Sequence, residues 1–209
     1  MSIAREGYPL ILSFGAVTVI AFAFGWTWFG LVLALATFAL LGFFRDPERT
    51  IPQGDNLVLA PADGKVVSIA PSVNAALFRE AATRVSIFLS PLDVHINRTP
   101  VAGEVADVVY RSGSFMAAYK EGSSERNEQN ALTIVNGANR SVGVVQVAGV
   151  VARRIVCRVR KGDRLARGER FGLIMFGSRT DTYLPRGCSV EVAEGQRVKG
   201  GETIIGRFQ

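Results

Sequence analysis

Histidine is almost missing from this sequence: 209 residues contain one, His95, which excludes a histidine-rich metal site, and no metal is expected. Cysteine is nearly as scarce. Cys157 and Cys188 stand far apart in no metal-ligand spacing and are expected to be reduced core thiols of a cytosolic domain. The formal charge of +6 and the pI near 9.8 come without any aromatic-interleaved basic cluster, because the arginines are scattered. A nucleic-acid partner is therefore not expected.

Charge itself is missing from Gly7 to Phe44, a run too apolar for an ordinary core helix. It is too long for a cleaved signal peptide and lacks a small-residue cleavage site before a polar region. The interruption Gly25-Trp26-Thr27-Trp28-Phe29-Gly30 divides it into halves of roughly 25 Å each if helical, close to the ~30 Å of a hydrocarbon core. A membrane-anchoring helical hairpin over residues 1–44 follows, with one tilted span or a shallow re-entrant hairpin as alternatives. Arg5 before the run and Arg45 and Arg49 after it place both ends on the cytoplasmic side of the cell membrane. Arg5 and Glu6 cancel, so the net charge belongs to residues 45–209, a basic domain drawn towards anionic headgroups.

What is present after Phe44 reads as β structure. The proline-punctuated stretch Arg45 to Pro52 is a linker, and strands are expected at 57–60, 65–70, 84–89, 101–110, 131–135, 141–147, 155–160 and 173–176. Asp63-Gly64, between two apolar runs, reads by itself as a hairpin turn. Arg111 to Asn130 is a long polar loop, either disordered or a flap whose Phe115, Met116 and Tyr119 meet lipid while Asn127 or Asn130 lines a site. The segments 161–172 and 194–206 resemble each other, with Gly162 and Gly168 matching Gly195 and Gly201, and Glu169 matching Glu202. This turn-then-strand pattern points to a mainly β, Gly-rich barrel-sandwich domain of lipoyl-like type. No lysine occupies a hairpin tip in the lipoyl attachment context, so a carrier role is not expected.

The apolar run from Leu173 to Phe176 stops at Gly177-Ser178, which sets a serine at a strand end behind the least hindered residue. A serine so placed can attack the preceding carbonyl, and β-elimination of the resulting ester leaves dehydroalanine, which loses ammonia to become a pyruvoyl group. Most Gly-Ser pairs are simply turns. The only side chain whose unperturbed pKa suits proton transfer near neutrality is His95, in a segment that also carries Asp93 and Asn97.

Phe44-Arg45-Asp46-Pro47-Glu48-Arg49, Pro61-Ala62-Asp63-Gly64, Ser90-Pro91-Leu92-Asp93-Val94-His95, Glu125-Arg126-Asn127 and Phe176-Gly177-Ser178 occur in an order that resembles the phosphatidylserine decarboxylases, in their short bacterial and archaeal form. The resemblance spans essentially the whole chain. It implies a pyruvoyl-dependent zymogen that cleaves itself at Gly177-Ser178 into chains 1–177 and 178–209 and converts phosphatidylserine to phosphatidylethanolamine and carbon dioxide. Ser178 is then first the nucleophile and afterwards the covalent cofactor that forms an imine with the substrate amine. By the same resemblance His95 is the proton acceptor in cleavage and Asp63 its orienting carboxylate. Asp93 is a second carboxylate that could fill that place, and Asp93, Phe115, Asn127 and Asn130 are candidate substrate-binding residues. Arg98 stands where longer members carry a second histidine, so that histidine's role does not transfer. The expected partners are a phospholipid, the membrane and the paired chains, and a homo-oligomer is compatible with the sequence. An ether-lipid decarboxylase with the same headgroup chemistry, a non-catalytic membrane adaptor and an ordinary serine hydrolase are the alternatives. The last is disfavoured because Ser178 lacks the flanks of a nucleophile elbow.

Overall fold

Two apolar helices and an extensive set of antiparallel strands make up the chain in a computed structural model, which describes residues 2–72, 82–114, 127–149, 154–175 and 178–209. The chain divides into two units, Met1–Glu48 and Arg49–Gln209.

In the first unit, β1 (Ser2–Ile3) pairs with β2 (Arg45–Asp46), and the helices α1 (Tyr8–Ala23) and α2 (Thr27–Phe43) form the expected hairpin between them. The turn follows from Gly25, whose φ of +76° lets the Gly25 and Trp26 N–H groups close back on the carbonyls of Phe22 and Ala21. Gly30 admits the Phe22 ring, since a Cβ there would lie 2.8 Å from a ring carbon. Leu12, Val19, Trp28, Leu35 and Phe38 are exposed, so the pair is apolar on its outside, as expected of helices that face lipid rather than water. The segment Arg5–Ala23 is long and apolar enough to cross a membrane, whereas Thr27–Phe43 is a shorter apolar helix.

The second unit contains β3 (Leu57–Leu59), β4 (Gly64–Ser72), β5 (Ala82–Leu89), β6 (Ile96–Arg98), β7 (Gly103–Arg111), β8 (Gln129–Val135), β9 (Ser141–Val147), β10 (Ile155–Cys157), β11 (Arg164–Leu165), β12 (Arg170–Ile174), β13 (Ser178–Leu184), β14 (Cys188–Val190), β15 (Arg197–Val198) and β16 (Ile204–Phe208). Eight of them form a curled sheet in the order β11-β7-β8-β9-β13-β5-β4-β15, and two three-stranded sheets, β10-β12-β6 and β14-β16-β3, accompany it. The core lies between these layers. Val66, Val85, Ile87, Ile134, Val142 and Leu184 of the large sheet meet Val58, Ile205 and Phe208 of one small sheet, burying apolar area from both sides. Leu132 and Val144 meet Phe171 of the other.

The repeated segments do equivalent work. β11 and β15 close the two edges of the large sheet, while β12 and β16 are the middle strands of the two small ones. Gly162, Gly168, Gly195 and Gly201 all take φ between +75° and +91°, the turn conformation that favours glycine. A second repeat, which the sequence reading missed, completes the pattern: Leu57–Val66 corresponds to Ile96–Val105. The Leu59 N–H donates to the Pro100 carbonyl at 2.9 Å and the Arg98 N–H to the Pro61 carbonyl at 2.8 Å, a reciprocal pair that marks a pseudo-twofold relation. Gly64 and Gly103 are both required by close backbone approach, because a Cβ would lie 2.1 Å from the Phe88 oxygen and 2.3 Å from the Val135 oxygen respectively.

Three expectations need correcting. Asp63-Gly64 is no hairpin turn, since β3 and β4 pair in different sheets. The last expected strand ends at Phe176, whereas Ser178 opens a further one, β13, fully buried and held between β9 and β5. Polarity misleads there because alternation sends Ser178, Thr180, Thr182 and Leu184 to the core face and Arg179, Asp181 and Tyr183 to the other, where Arg179 and Asp181 form an ion pair at 2.9 Å. Finally, Arg49 is no flanking surface charge, as its 8% exposed side chain is engaged inside the second unit.

Candidate active site

Strand register assembles the site around Ser178. Ser178 opens β13 directly opposite Leu89, the last residue of β5. The turn that follows Leu89 is fixed by Asp93, whose carboxylate accepts from the Ser90 N–H at 2.9 Å and the Ser90 hydroxyl at 2.8 Å. That turn delivers His95 to the head of β6, where its carbonyl accepts from the N–H of Ile174, the last residue of β12. His95 thus lies beside the end of β12, the strand that leads toward position 177, and follows the turn that begins at Leu89, the partner of Ser178.

The chemistry of His95 follows from one contact. Nδ1 lies 2.9 Å from the Asp93 carbonyl oxygen, which can only accept, so a neutral ring keeps its proton on Nδ1 and its lone pair on Nε2. A buried imidazole in that tautomer is a base at Nε2. Ser178 Oγ is also fully buried, and among the described residues it has no hydrogen-bond partner. A buried hydroxyl left unsatisfied is costly, which marks it as a group kept for something other than stability.

The two carboxylates are held by different hands. Asp63 accepts from Arg49 at 2.7 and 2.9 Å and from the Gly200 N–H at 2.8 Å, and Arg49 also reaches Glu202 at 3.7 Å. Burial pushes the Asp63 pKa above the usual carboxylate value, against the Gly200 N–H and the Arg49 charge, and the charge of Asp93 adds to the rise. Asp93 pairs with Arg197. Both carboxylates are therefore contacted by the β15 region, from residues that the sequence reading did not single out. Arg98 is buried, donates to the Gly168 carbonyl at 3.1 Å and packs against the Gly201 turn, which is a structural position.

Of the remaining candidates, Asn130 lies in β8 and donates to Gln146 Oε1 at 3.0 Å. Asn127 is buried and donates to the Ala148 carbonyl at 2.8 Å, tying the end of the long loop to the end of β9. Gln146 and Thr180 are further interior polar residues, detectable in sequence only as polar interruptions of VGVVQV and of the strand after Ser178. Gly177 and Phe176 of the expected cleavage site, Phe115, Met116 and Tyr119 of the expected flap, and Glu125-Arg126 lie outside the described residues.

A family model described as phosphatidylserine decarboxylase matches residues 37–206. A curated phosphatidylserine decarboxylase proenzyme of Syntrophus aciditrophicus is 41% identical over 207 residues, covering 99% of this chain and 97% of that protein. One of Nitrosomonas eutropha is 46% identical over 208 residues, covering 99% and 95%.

Proposed function

The chain belongs to the phosphatidylserine decarboxylase family of carboxy-lyases, and from that membership we propose that it cleaves itself at Gly177-Ser178 and then decarboxylates phosphatidylserine to phosphatidylethanolamine. The observation that carries this reading is the buried Ser178 hydroxyl, without a partner among the described residues, at the head of β13, whose partner Leu89 begins the turn leading to His95.

Maturation begins when His95 Nε2 takes the Ser178 proton and Oγ adds to the Gly177 carbonyl, converting the peptide into an ester. Loss of the Ser178 Cα proton then expels the Gly177 carboxylate and leaves dehydroalanine. Its enamine tautomerises and consumes one water, releasing ammonia and leaving a pyruvoyl group at residue 178. The site fits that group: conversion removes the very hydroxyl that has no partner among the described residues, and the chemistry needs no metal ligand. In the mature enzyme the pyruvoyl carbonyl supplies an electrophile for the substrate amine and an electron sink for the pair released with carbon dioxide. His95 Nε2, with no serine proton left to accept, is available to carry a proton to the reacting carbon. The Asp93 carbonyl fixes its ring, and the Asp63 and Asp93 carboxylates supply negative charge nearby.

Cleavage does not release the small chain. β13 stays paired with β5 and β9, β15 with β4 and β16 with β3, and Asp63 and Asp93 keep their partners Gly200 and Arg197 across the break. The apolar hairpin anchors the large chain in the cell membrane, with the catalytic unit on the cytoplasmic side.

Substitution of Ser178 by alanine tests the reading. The variant is expected to run as one band under denaturing conditions and release no carbon dioxide from phosphatidylserine, while the parent runs as two bands and releases it. A variant that splits or decarboxylates removes Ser178 from the mechanism.

A further inference from the structure

Three carboxamides cross the interior of the β domain in a chain whose direction is fixed. Asn130 Nδ2 donates to Gln146 Oε1 at 3.0 Å, and Gln146 Nε2 donates to Asn97 Oδ1 at 2.8 Å and to the Val156 carbonyl at 3.3 Å. The Val156 oxygen can only accept, so the Gln146 nitrogen must face it; Asn97 must then present its oxygen to Gln146 and Asn130 its nitrogen. Asn97 Nδ2 is left over, fully buried and without a hydrogen-bond partner among the described residues.

Strand register connects this spare donor to the reacting residue. Gln146 is the cross-strand neighbour of Thr180, which shares the core face of β13 with Ser178 two residues earlier. The Thr180 hydroxyl is also buried and, among the described residues, without a hydrogen-bond partner.

Resting on the reading of Ser178 given above, we propose that Asn97 Nδ2 binds and orients the carboxylate of the substrate's amino-acid headgroup, with Gln146 and Asn130 as its positioning residues. The three linked side chains carry no charge. A neutral donor orients a carboxylate without the ion-pair stabilisation that would have to be given up as the group leaves as uncharged carbon dioxide.

The test is Asn97→Asp, which keeps the acceptor for Gln146 but replaces the donor with a negative oxygen. Cyanoborohydride coupling of phosphatidylserine and of phosphatidylethanolamine in detergent micelles is followed by the mass of the small chain, counting adducts with and without the carboxylate together. The variant is expected to be cleaved like the parent, and to couple phosphatidylethanolamine as fast. Its coupling of phosphatidylserine should be slower by at least about tenfold, and kcat/KM for carbon dioxide release should fall about a hundredfold. An unchanged ratio between the two lipids in cleaved Asn97→Asp overturns the proposal. So does failure of both Asn97→Asp and Asn97→Ala to self-cleave, which would place Asn97 in maturation. Failure of the parent protein itself to cleave or to couple either lipid would instead sink the reading of Ser178.

Discussion

The two halves related by the pseudo-twofold share a backbone and differ in what they place on it. Asn97, in the carboxamide chain, occupies the position that Val58 fills with plain core in the other half, and Asp63 corresponds to Ala102. β15 and the turn after it contact both Asp93 and Asp63, through Arg197 and Gly200. One scaffold, used twice, thus supplies rigidity in both halves and chemistry at the few positions where polar residues replace apolar ones. The same interleaving would keep a chain cut at Ser178 assembled, because β13, β15 and β16 each pair with a strand that precedes the proposed break.

Making the halves alike at the polar positions should have the largest effect. Asp63→Ala gives that site the residue of its counterpart and leaves Arg49 buried without its main partner. A loss of about 3 kcal/mol in denaturant stability is expected, together with slow or absent self-cleavage on a denaturing gel. Normal stability and processing would show that Asp63 is no more than Ala102 is.

Equivalence of the halves is probed next by Gly168→Ala and Gly201→Ala, with φ of +75° and +78°. Each new Cβ meets a neighbour, Ile51 Cδ1 at 2.4 Å or Arg98 Cδ at 2.8 Å, so each should cost about 1–3 kcal/mol and the two should agree within a factor of two. Gly187→Ala, at φ +77° with open space around it, isolates the backbone strain and should cost less than either.

Smaller still is the effect of pH through Asp63. Its raised pKa means that the folded state holds the proton more tightly than the unfolded chain does. Its contribution to stability is therefore full below about 3.8 and declines as pH rises through the folded value. Denaturation midpoints across the acid range should show that decline in the parent, and Asp63→Asn should remove it. The smallest change is expected for Arg197→Ala, whose side chain is 69% exposed: about 0.5 kcal/mol or less, with the Asp93 turn kept by Ser90.

Much of this was legible before any coordinates. The apolar β-branched runs gave strands near their observed places, and the uncharged run broken at Gly25 gave the helical hairpin. The matched glycines located four turns that share one conformation. What escaped was polar and buried. β13 is absent from the expected strands because hydrophobic periodicity is blind to a central strand of serine, threonine, arginine and aspartate. Asn97, Gln146 and Arg49 escaped for the same reason, since their partners lie 49 residues away for Asn97 and 14 for Arg49, and no local pattern records such pairings. Asp63-Gly64 looked like a hairpin because the second requirement for its glycine, the approach of the Phe88 carbonyl, is tertiary.

The most direct measurement of the central claim is the intact mass of catalytically competent protein under denaturing conditions. Two masses are expected, one for residues 1–177 and one for residues 178–209 with a pyruvoyl group in place of the serine, the latter shifting on treatment with hydroxylamine. A single unbroken chain with an unmodified serine at position 178, in material that still releases carbon dioxide, would contradict the account.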